Sequence, residues 1–493
     1  MRITNENDTI SSQHPEYVKF LDENRLASTL MEGTSAMREA GELYLPKFPA
    51  EEKTSYSRRK ASSYLNPAFS DAITKQSAKP FSRPIVIENR ESLDSRVDVM
   101  IDNVDGRGTS ITALGKQAFS SAATYRRVFL FTDFSNTVLP EGATRADEAN
   151  AGGRPSTFII RDVDFFNWDF AEDGSYSEIR YYTTELVPSG KFGKKRQSVI
   201  FRWFKTYWEK FIEMSDEDAS EDFIELSGSK NWQLTETRSH GLGAIPIEEI
   251  SLRQERTTNA ELAETVLEHY QEQSDQKTIV HFSRTGVWLA TGFGEDELKG
   301  FTVGPNALVE GQDSDAKLAV VEHTGSAVAI GRAELQILED RMEALSLKPM
   351  VQRSSGDVTA TEVSTNSVSA CSDIRSWGIL VQEGLTNCLE WAHKWVGADF
   401  KEDVKVSIYD DYSIEGSSVD KDWLLNAWSQ DGISKKLFLE ESKRRGMIDA
   451  RVDIEEEMKV SDEQTKQKME MAIETAKATS PAPATNGGGM QND

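Results

Sequence analysis

A chain of 493 residues with 38% hydrophobic and 28% charged positions can bury a sizeable core in roughly three domain-sized units, which excludes a disordered or fibrous protein. Its longest apolar runs fall short of the ~20 residues a membrane span needs, and the polar start Met1-Arg-Ile-Thr-Asn-Glu-Asn-Asp8 predicts no signal core. The formal net charge of −26 argues against a groove-reading DNA binder, and fits either a DNA-indifferent protein or a wall along which DNA slides ungripped.

Glu16 to Ala40 reads as helix, with Leu21, Leu26, Leu30 and Met37 among charges and a stop at Gly41 and Pro46. A second helical stretch runs from Glu51 to Ala78 and breaks at Pro80 and Pro84. From Ile85 to Ile250 the pattern is mixed. Ser110 to Thr124 reads as helix. Arg126 to Thr132, Thr157 to Ile160 and Ser198 to Trp203 read as strands, with an aromatic patch at Phe165-Phe-Asn-Trp168. Gly190-Lys-Phe-Gly193 reads as a hairpin tip. There is no internal repeat.

Asn259 to Phe282 reads as helix, with Leu262, Val266 and Tyr270 on one side and Glu261, Glu264, Glu268 and Glu272 among the others. A glycine-rich stretch follows with β-like pieces at Gly286–Leu289, Gly300–Val303 and Leu318–Glu322. The next helix, Ala329 to Leu347, carries an apolar stripe of Ile330, Ala333, Ile337, Leu338, Met342 and Leu345. After a loop from Lys348 to Val358, Thr359-Ala-Thr-Glu362 has capping-box spacing. It opens a helix that extends to Val396, ~57 Å long, with Ile374, Trp377, Val381, Leu385, Cys388, Ala392 and Trp395 at 3/4 spacing. Gly378 and Gly384 inside it predict a kink or a close packing contact. Cys371 and Cys388 on this helix lie ~25 Å apart, too far for a bridge, and read as buried free thiols. Trp377, Trp391 and Trp395 read as core or subunit interface. A short strand, Val404 to Tyr409, precedes a helical segment from Asp420 to Ala478 that breaks at Gly432-Ile-Ser434 and ends in a Pro/Gly-rich tail.

Chemistry-bearing motifs are scarce. Gly193-Lys194-Lys195 lacks the earlier Gly and the Ser/Thr of a phosphate loop, so it reads as a basic tip, with Lys191, Lys194, Lys195 and Arg196 as the alternative DNA or partner contact. Asn103-Val-Asp105-Gly106 would put Ile101 and Thr112 at the end ligands of a calcium loop, which excludes that reading. His14, His240, His269, His281, His323 and His393 show no metal-ligand spacing. The glutamates of the 259–282 helix form either an acidic wall or a plain solvated face.

In order along the chain, Gly41-Glu-Leu-Tyr44-Leu45-Pro46, Tyr56, Arg59, Asn66-Pro67, Asn103-Val-Asp105-Gly-Arg-Gly108, Asn167-Trp168, Gly243-Ala-Ile-Pro246, Glu268-His-Tyr270-Gln, Ser274-Asp275, Val321-Glu322-His-Thr-Gly325 and Thr359-Ala-Thr-Glu362 resemble the portal proteins of tailed bacteriophages. The shared order spans residues 16 to 450; no single piece is specific. The resemblance implies an α+β, ring-forming, non-enzymatic subunit. It implies a mixed α/β wing at 1–255, stem helices at 256–283 and 329–347 and a clip at 284–328. A tunnel loop at 348–358 and a long wing helix at 359–396 follow. A wing strand with its connection at 397–417, a helical crown at 418–478 and a flexible tail at 479–493 complete the order. The tunnel-loop candidates for DNA contact are Lys348, Gln352, Arg353, Ser354 and Ser355, and the acidic stem face is Glu261, Glu264, Glu268 and Glu272. The implied assembly is a homo-dodecamer at a capsid vertex, built in the host cytoplasm. Double-stranded DNA would pass through it. Terminase large subunit, head-completion or adaptor proteins, major capsid protein and scaffolding protein would be its partners, with no metal, cofactor or membrane. Two rival readings are a virion connector or capsid component without a channel, and a metal-dependent DNA-processing enzyme.

Overall fold

His14 caps the first helix, α1 (Pro15–Glu32): its Nδ1 accepts from the Glu16 amide at 3.2 Å, and Pro15 occupies the first turn, where an N–H has no helical partner anyway. The single helix expected to Ala40 is corrected, because Gly33 at φ +86° ends α1 and α2 (Thr34–Ala40) restarts beyond it. The 51–78 stretch divides likewise into α3 (Lys53–Ser62) and α4 (Ala68–Ala78), since Pro67 disfavours helix at Asn66 and lacks an amide of its own. In a computed structural model of the chain, the described residues are 9–134, 153–214, 232–253, 255–285, 287–292, 315, 317–321, 326–346, 360–410, 418–430, 432–444, 448, 452 and 454–479. They fall into two units, Met1–Tyr409 and Asp410–Asp493.

The first unit is α+β. β1 (Val86–Glu88) and α5 (Ser95–Asp102) precede α6 (Ile111–Thr124), which starts where expected, with Ser110 Oγ accepting the Ala113 amide at 3.3 Å. The strands that follow are β2 (Arg127–Phe134), β3 (Pro155–Arg161), β4 (Phe165–Phe170), β5 (Tyr176–Ser189), β6 (Gly193–Phe204), β7 (Tyr207–Glu213), β8 (Trp232–Ser239) and β9 (Ile247–Ser251). β3-β2-β9 is a three-stranded antiparallel sheet, and β4 to β8 form a five-stranded antiparallel meander in sequence order. The aromatic patch is therefore strand β4. The two sheets share a core, where Phe129 stacks on Phe165 with centroids 4.0 Å apart and Phe131 meets Trp203 edge-on at 4.8 Å. Beside it lies a buried ionic cluster: Asp162 accepts from Arg127 Nε at 2.7 Å and Asn24 Nδ2 at 2.9 Å, with Arg126 Nε at 3.7 Å.

Two long helices, α7 (Ala260–Thr285) and α8 (Ser326–Leu345), flank a hairpin of β10 (Val287–Thr291) and β11 (Lys317–Val321). Then α9 (Ala360–Val396) packs back on β2 and β9, and β12 (Lys405–Ser407) pairs with β1. The predicted stripe of α9 is buried from Ile374 to Ala392. Cys388 is a buried free thiol, its pKa pushed up by burial. Gly384 is the predicted close contact: a Cβ there would come within 2.7 Å of Ile250 Cδ1. Gly384→Val is expected to destabilise by about 1–3 kcal/mol through overpacking, and Ile250→Ala should recover part of that loss; urea titration of the single and double variants measures both. Trp391 donates to Glu248 at 2.6 Å and Trp395 to the Thr132 carbonyl at 2.8 Å, so both bond within the chain's own α/β unit.

The second unit holds α10 (Ser418–Ser429), α11 (Lys435–Arg444) and α12 (Ile454–Thr479). The break at Gly432 falls where expected, and Trp428 stacks on Phe438 across it at 4.8 Å. A second break, between Arg444 and Ile454, divides what the sequence pattern presents as one segment. The tail beyond Thr479 lies outside the described residues.

Candidate functional site

The functional candidates concentrate on α7, the β10–β11 hairpin, α8 and the loop into α9. Short polar side chains anchor the start of α7. Thr258 Oγ1 donates to the Ala122 carbonyl at 3.0 Å and Asn259 Nδ2 to the Ala123 carbonyl at 2.7 Å, which ties α7 to the end of α6. Leu262, Ala263, Val266 and Tyr270 are buried, so the predicted apolar side is the packed one. Farther along, Tyr270 Oη and Ser63 Oγ lie 2.7 Å apart. Gln271 donates to the Tyr44 carbonyl at 3.0 Å, and Arg59 pairs with Glu51 at 2.9 Å and Asp275 at 3.6 Å.

Glu261, Glu264, Glu268 and Glu272 share one face of α7, as spacings of three and four dictate. Glu261, Glu264 and Glu268 are exposed and Glu272 is half-buried. Arg256 pairs with Glu264 at 3.0 Å and reaches Glu261 at 3.8 Å, so two of the four charges are partly offset at the base of the helix. Burial, and then the Glu334, Asp275 and Glu268 carboxylates, push the Glu272 pKa up. The acidic stripe thus extends across to α8.

Contact between α7 and α8 is polar and close. Gln276 Nε2 donates to the Val328 carbonyl at 2.8 Å, and Gly331 leaves room for the Gln276 side chain amide, against which any Cβ would press. Buried His269 places Nε2 3.5 Å from Glu339; burial lowers its pKa, so a neutral ring meets the carboxylate. The expected stripe of α8 is corrected in part. Leu338 and Met342 are buried, but Ala333 is exposed and Ile330 and Ile337 are each 66% exposed. A single helix neighbour, α7, buries only a narrow seam of α8.

At the other end of α8, the tunnel-loop candidates Lys348, Gln352, Arg353, Ser354 and Ser355 lie outside the described residues, as does the β-like piece 300–303. Both flanking hairpin pieces are strands, with Val287 opposite Val321 and Thr291 opposite Lys317. Lys191, Lys194, Lys195 and Arg196 are exposed at the β5–β6 tip, where Ser189 pairs with Gly193 as the turn reading requires.

Sequence reasoning missed a cleft of about 790 Å³ beside the meander, lined by Asp133, Tyr181, Trp203, Trp208, His240 and Trp395 among others. Its signal was one carboxylate ending an apolar strand, Phe131-Thr-Asp133. Burial pushes the Asp133 pKa up to about 6, against the single amide donated by Phe134 at 2.8 Å. A raised carboxyl stabilises the fold fully below its unfolded pKa and loses that contribution as pH rises through the folded value. Asp133→Asn is therefore expected to stabilise the protein by up to about 2 kcal/mol at pH 7 and to make little difference at pH 4, as measured by urea midpoints at both pH values. Among the described residues, no group of three or more His, Cys, Asp and Glu side chains is placed to hold a metal ion, and no helix is long and apolar enough to cross a membrane.

A family model described as a domain of unknown function, DUF4055, matches residues 260–396, which are α7, the hairpin, α8 and α9. No curated protein matches the chain. Among solved structures, a chain from the neck of an empty gene transfer agent particle, computed with C6 symmetry, is 13% identical with a TM-score of 0.40, covering 81% of this chain and 95% of that chain. A chain from the virion of a native gene transfer agent particle is 12% identical with a TM-score of 0.37, covering 82% and 97%.

Proposed function

We propose that the chain is a portal subunit: a non-enzymatic, ring-forming protein through which double-stranded DNA enters and leaves a viral head. One observation carries this reading. Chain that leaves the α/β unit along α7 turns through a small hairpin and runs back along α8. It then re-enters the same unit through the 37-residue α9. Wing, stem, clip, stem and long helix are expected in that order from the portal resemblance. In this reading twelve copies surround the channel. The hairpin docks a terminase motor during packaging and head-completion or adaptor proteins afterwards. The capsid and scaffolding proteins hold the outside of the ring. The acidic stripe repels the phosphate backbone so that duplex slides while the motor supplies force, and Lys348, Gln352 and Arg353 touch it locally. No cofactor takes part, and the protein's place is the portal vertex of the virion.

Electron microscopy of the purified protein tests the reading. Rings near twelvefold with an axial hole of ~20 Å are expected, because duplex must pass. Monomers at every salt concentration and protein concentration, or magnesium-dependent cleavage of DNA by the pure chain, would overturn it. Deleting Gln352 to Gly356 is expected to leave rings intact and to abolish DNA retention in packaged particles, measured as protected DNA per particle; loss of rings would remove the loop assignment.

A further inference from the structure

β5 and β6 continue well past their neighbours. β4 pairs with β5 only from Tyr176 to Tyr181, and β7 pairs with β6 only from Val199 to Trp203. Residues 184–198 are strand-paired only with one another among the described residues, so they form a two-stranded ribbon beyond the meander. In a chain of net charge −26, this ribbon carries Lys191, Lys194, Lys195 and Arg196 and one acid, Glu185, which Lys210 already pairs at 2.8 Å. Phe192 at the tip is 93% exposed and Leu186 on the flank 64%. An isolated ribbon with an exposed aromatic tip gains nothing from folding that way unless another surface receives it.

The opposite end of β5 is its chemical complement. Its turn from β4 carries exposed Asp169, Glu172 and Asp173, the last already paired with Lys205 at 3.3 Å, around Phe170, which is 56% exposed and stacks on Tyr176 at 4.8 Å. Strand β5 has 14 residues, which places the two ends about 45 Å apart. A basic aromatic end and an acidic aromatic end that far apart cannot meet within one subunit. They can meet between copies, head to tail, and such a heterologous contact closes into a ring when the rotation allows.

We propose that the Lys191–Arg196 ribbon tip of one subunit docks on the Asp169–Asp173 turn of the next copy, with Phe192 against Phe170 and the lysines against the carboxylates. This deepens the ring reading and rests on it for closure. A second copy fits better than duplex DNA, because Phe192 and Leu186 find no partner in a phosphate backbone whereas the receiving turn offers both an aromatic ring and carboxylates.

Sedimentation velocity of the full chain across a concentration series tests it. K191E/K194E/K195E is expected to raise the concentration of half-assembly by about 100-fold or more, since like charges then face one another. Phe192→Ser should raise it with the charges left in place. Combining the arm reversal with D169K/E172K should restore assembly to within about tenfold of wild type, which a misfolded arm would not allow. Assembly unchanged by arm reversal, or unrecovered in the charge swap, overturns the contact. Arm reversal that weakens only duplex binding in a filter assay also overturns it and makes the ribbon a nucleic-acid contact. Wild-type rings that survive arm reversal remove this contact alone, while a wild type that stays monomeric removes the ring reading with it.

Discussion

Replacing Asp162 with alanine is expected to cost about 3–5 kcal/mol of stability, read as a lower urea midpoint of the tryptophan fluorescence transition with an unchanged slope. Asp162 is the carboxylate that two buried guanidiniums share: Arg127 Nε at 2.7 Å and Arg126 Nε at 3.7 Å, with all three side chains no more than 7% exposed. Removing it leaves two cations out of water with little to offset them. Arg127 keeps the longer contact to Glu249 at 3.4 Å and the ring faces of Phe129, Phe165 and Trp168. The Asn24 amide, which donates to the same carboxylate at 2.9 Å, loses its acceptor too. Uncompensated charge is the main term here rather than a missing bond. The variant R126M/R127M/D162L, which removes the charges together, should therefore recover most of the loss. If the triple variant is as unstable as the single one, the cluster is doing something other than neutralising itself.

Phe131→Ala is expected to cost a similar amount, about 3–5 kcal/mol, for a different reason. Phe131 is fully buried on the central strand of one sheet and reaches into the other. Its ring lies 4.8 Å from Trp203 and 5.9 Å from Tyr181 of the meander, and 5.3 Å from Phe158 on its own sheet. Truncation opens a cavity at the joint between two sheets whose strands are fixed by their own hydrogen bonds, so little collapse can refill it. Phe131→Leu keeps most of the volume and should cost less than about 1.5 kcal/mol. Equal losses for the two variants, measured by the same urea titration, would show that the joint is not tightly packed.

Helices were the legible part of this chain. α6, α7 and α9 announce themselves because each buries one continuous stripe, and a period of three and four residues survives any choice of partner. Strands β5, β7 and β8 did not. Inward residues can alternate with charges, as in Ile179-Arg-Tyr181 of β5, and such short alternation gains meaning only once neighbouring strands fix the register. On α8 the pattern was visible but its meaning was not. Periodicity says that Ile330 and Ile337 share a face with Ala333; it cannot say whether what covers that face belongs to the same chain. The acidic stripe on α7 follows from spacing alone, whereas the partial offset of Glu261 and Glu264 by Arg256 depends on where the preceding turn delivers one side chain. Asp133 left only the weak mark of a carboxylate ending an apolar strand, since its raised pKa comes from burial by residues distant in sequence. The DNA-contact candidates from Lys348 to Ser355 lie outside the described residues, so they stand on the sequence alone.

The anchoring of α7 has a mechanical side. The helix is 26 residues, about 39 Å, and among the described residues Tyr270, Gln271 and Lys277 bond it to the segments around α3, with Asn259 bonded to α6 just before its first turn. From these ties the helix runs on toward the hairpin. A push along the helix axis would load its backbone hydrogen bonds in compression and reach the contacts with α3 and α6. A sideways push would load the Gln276–Val328 bond and the Gly331 contact with α8. The helix would thus pass an axial load to the α/β unit more directly than a lateral one, which α8 would share.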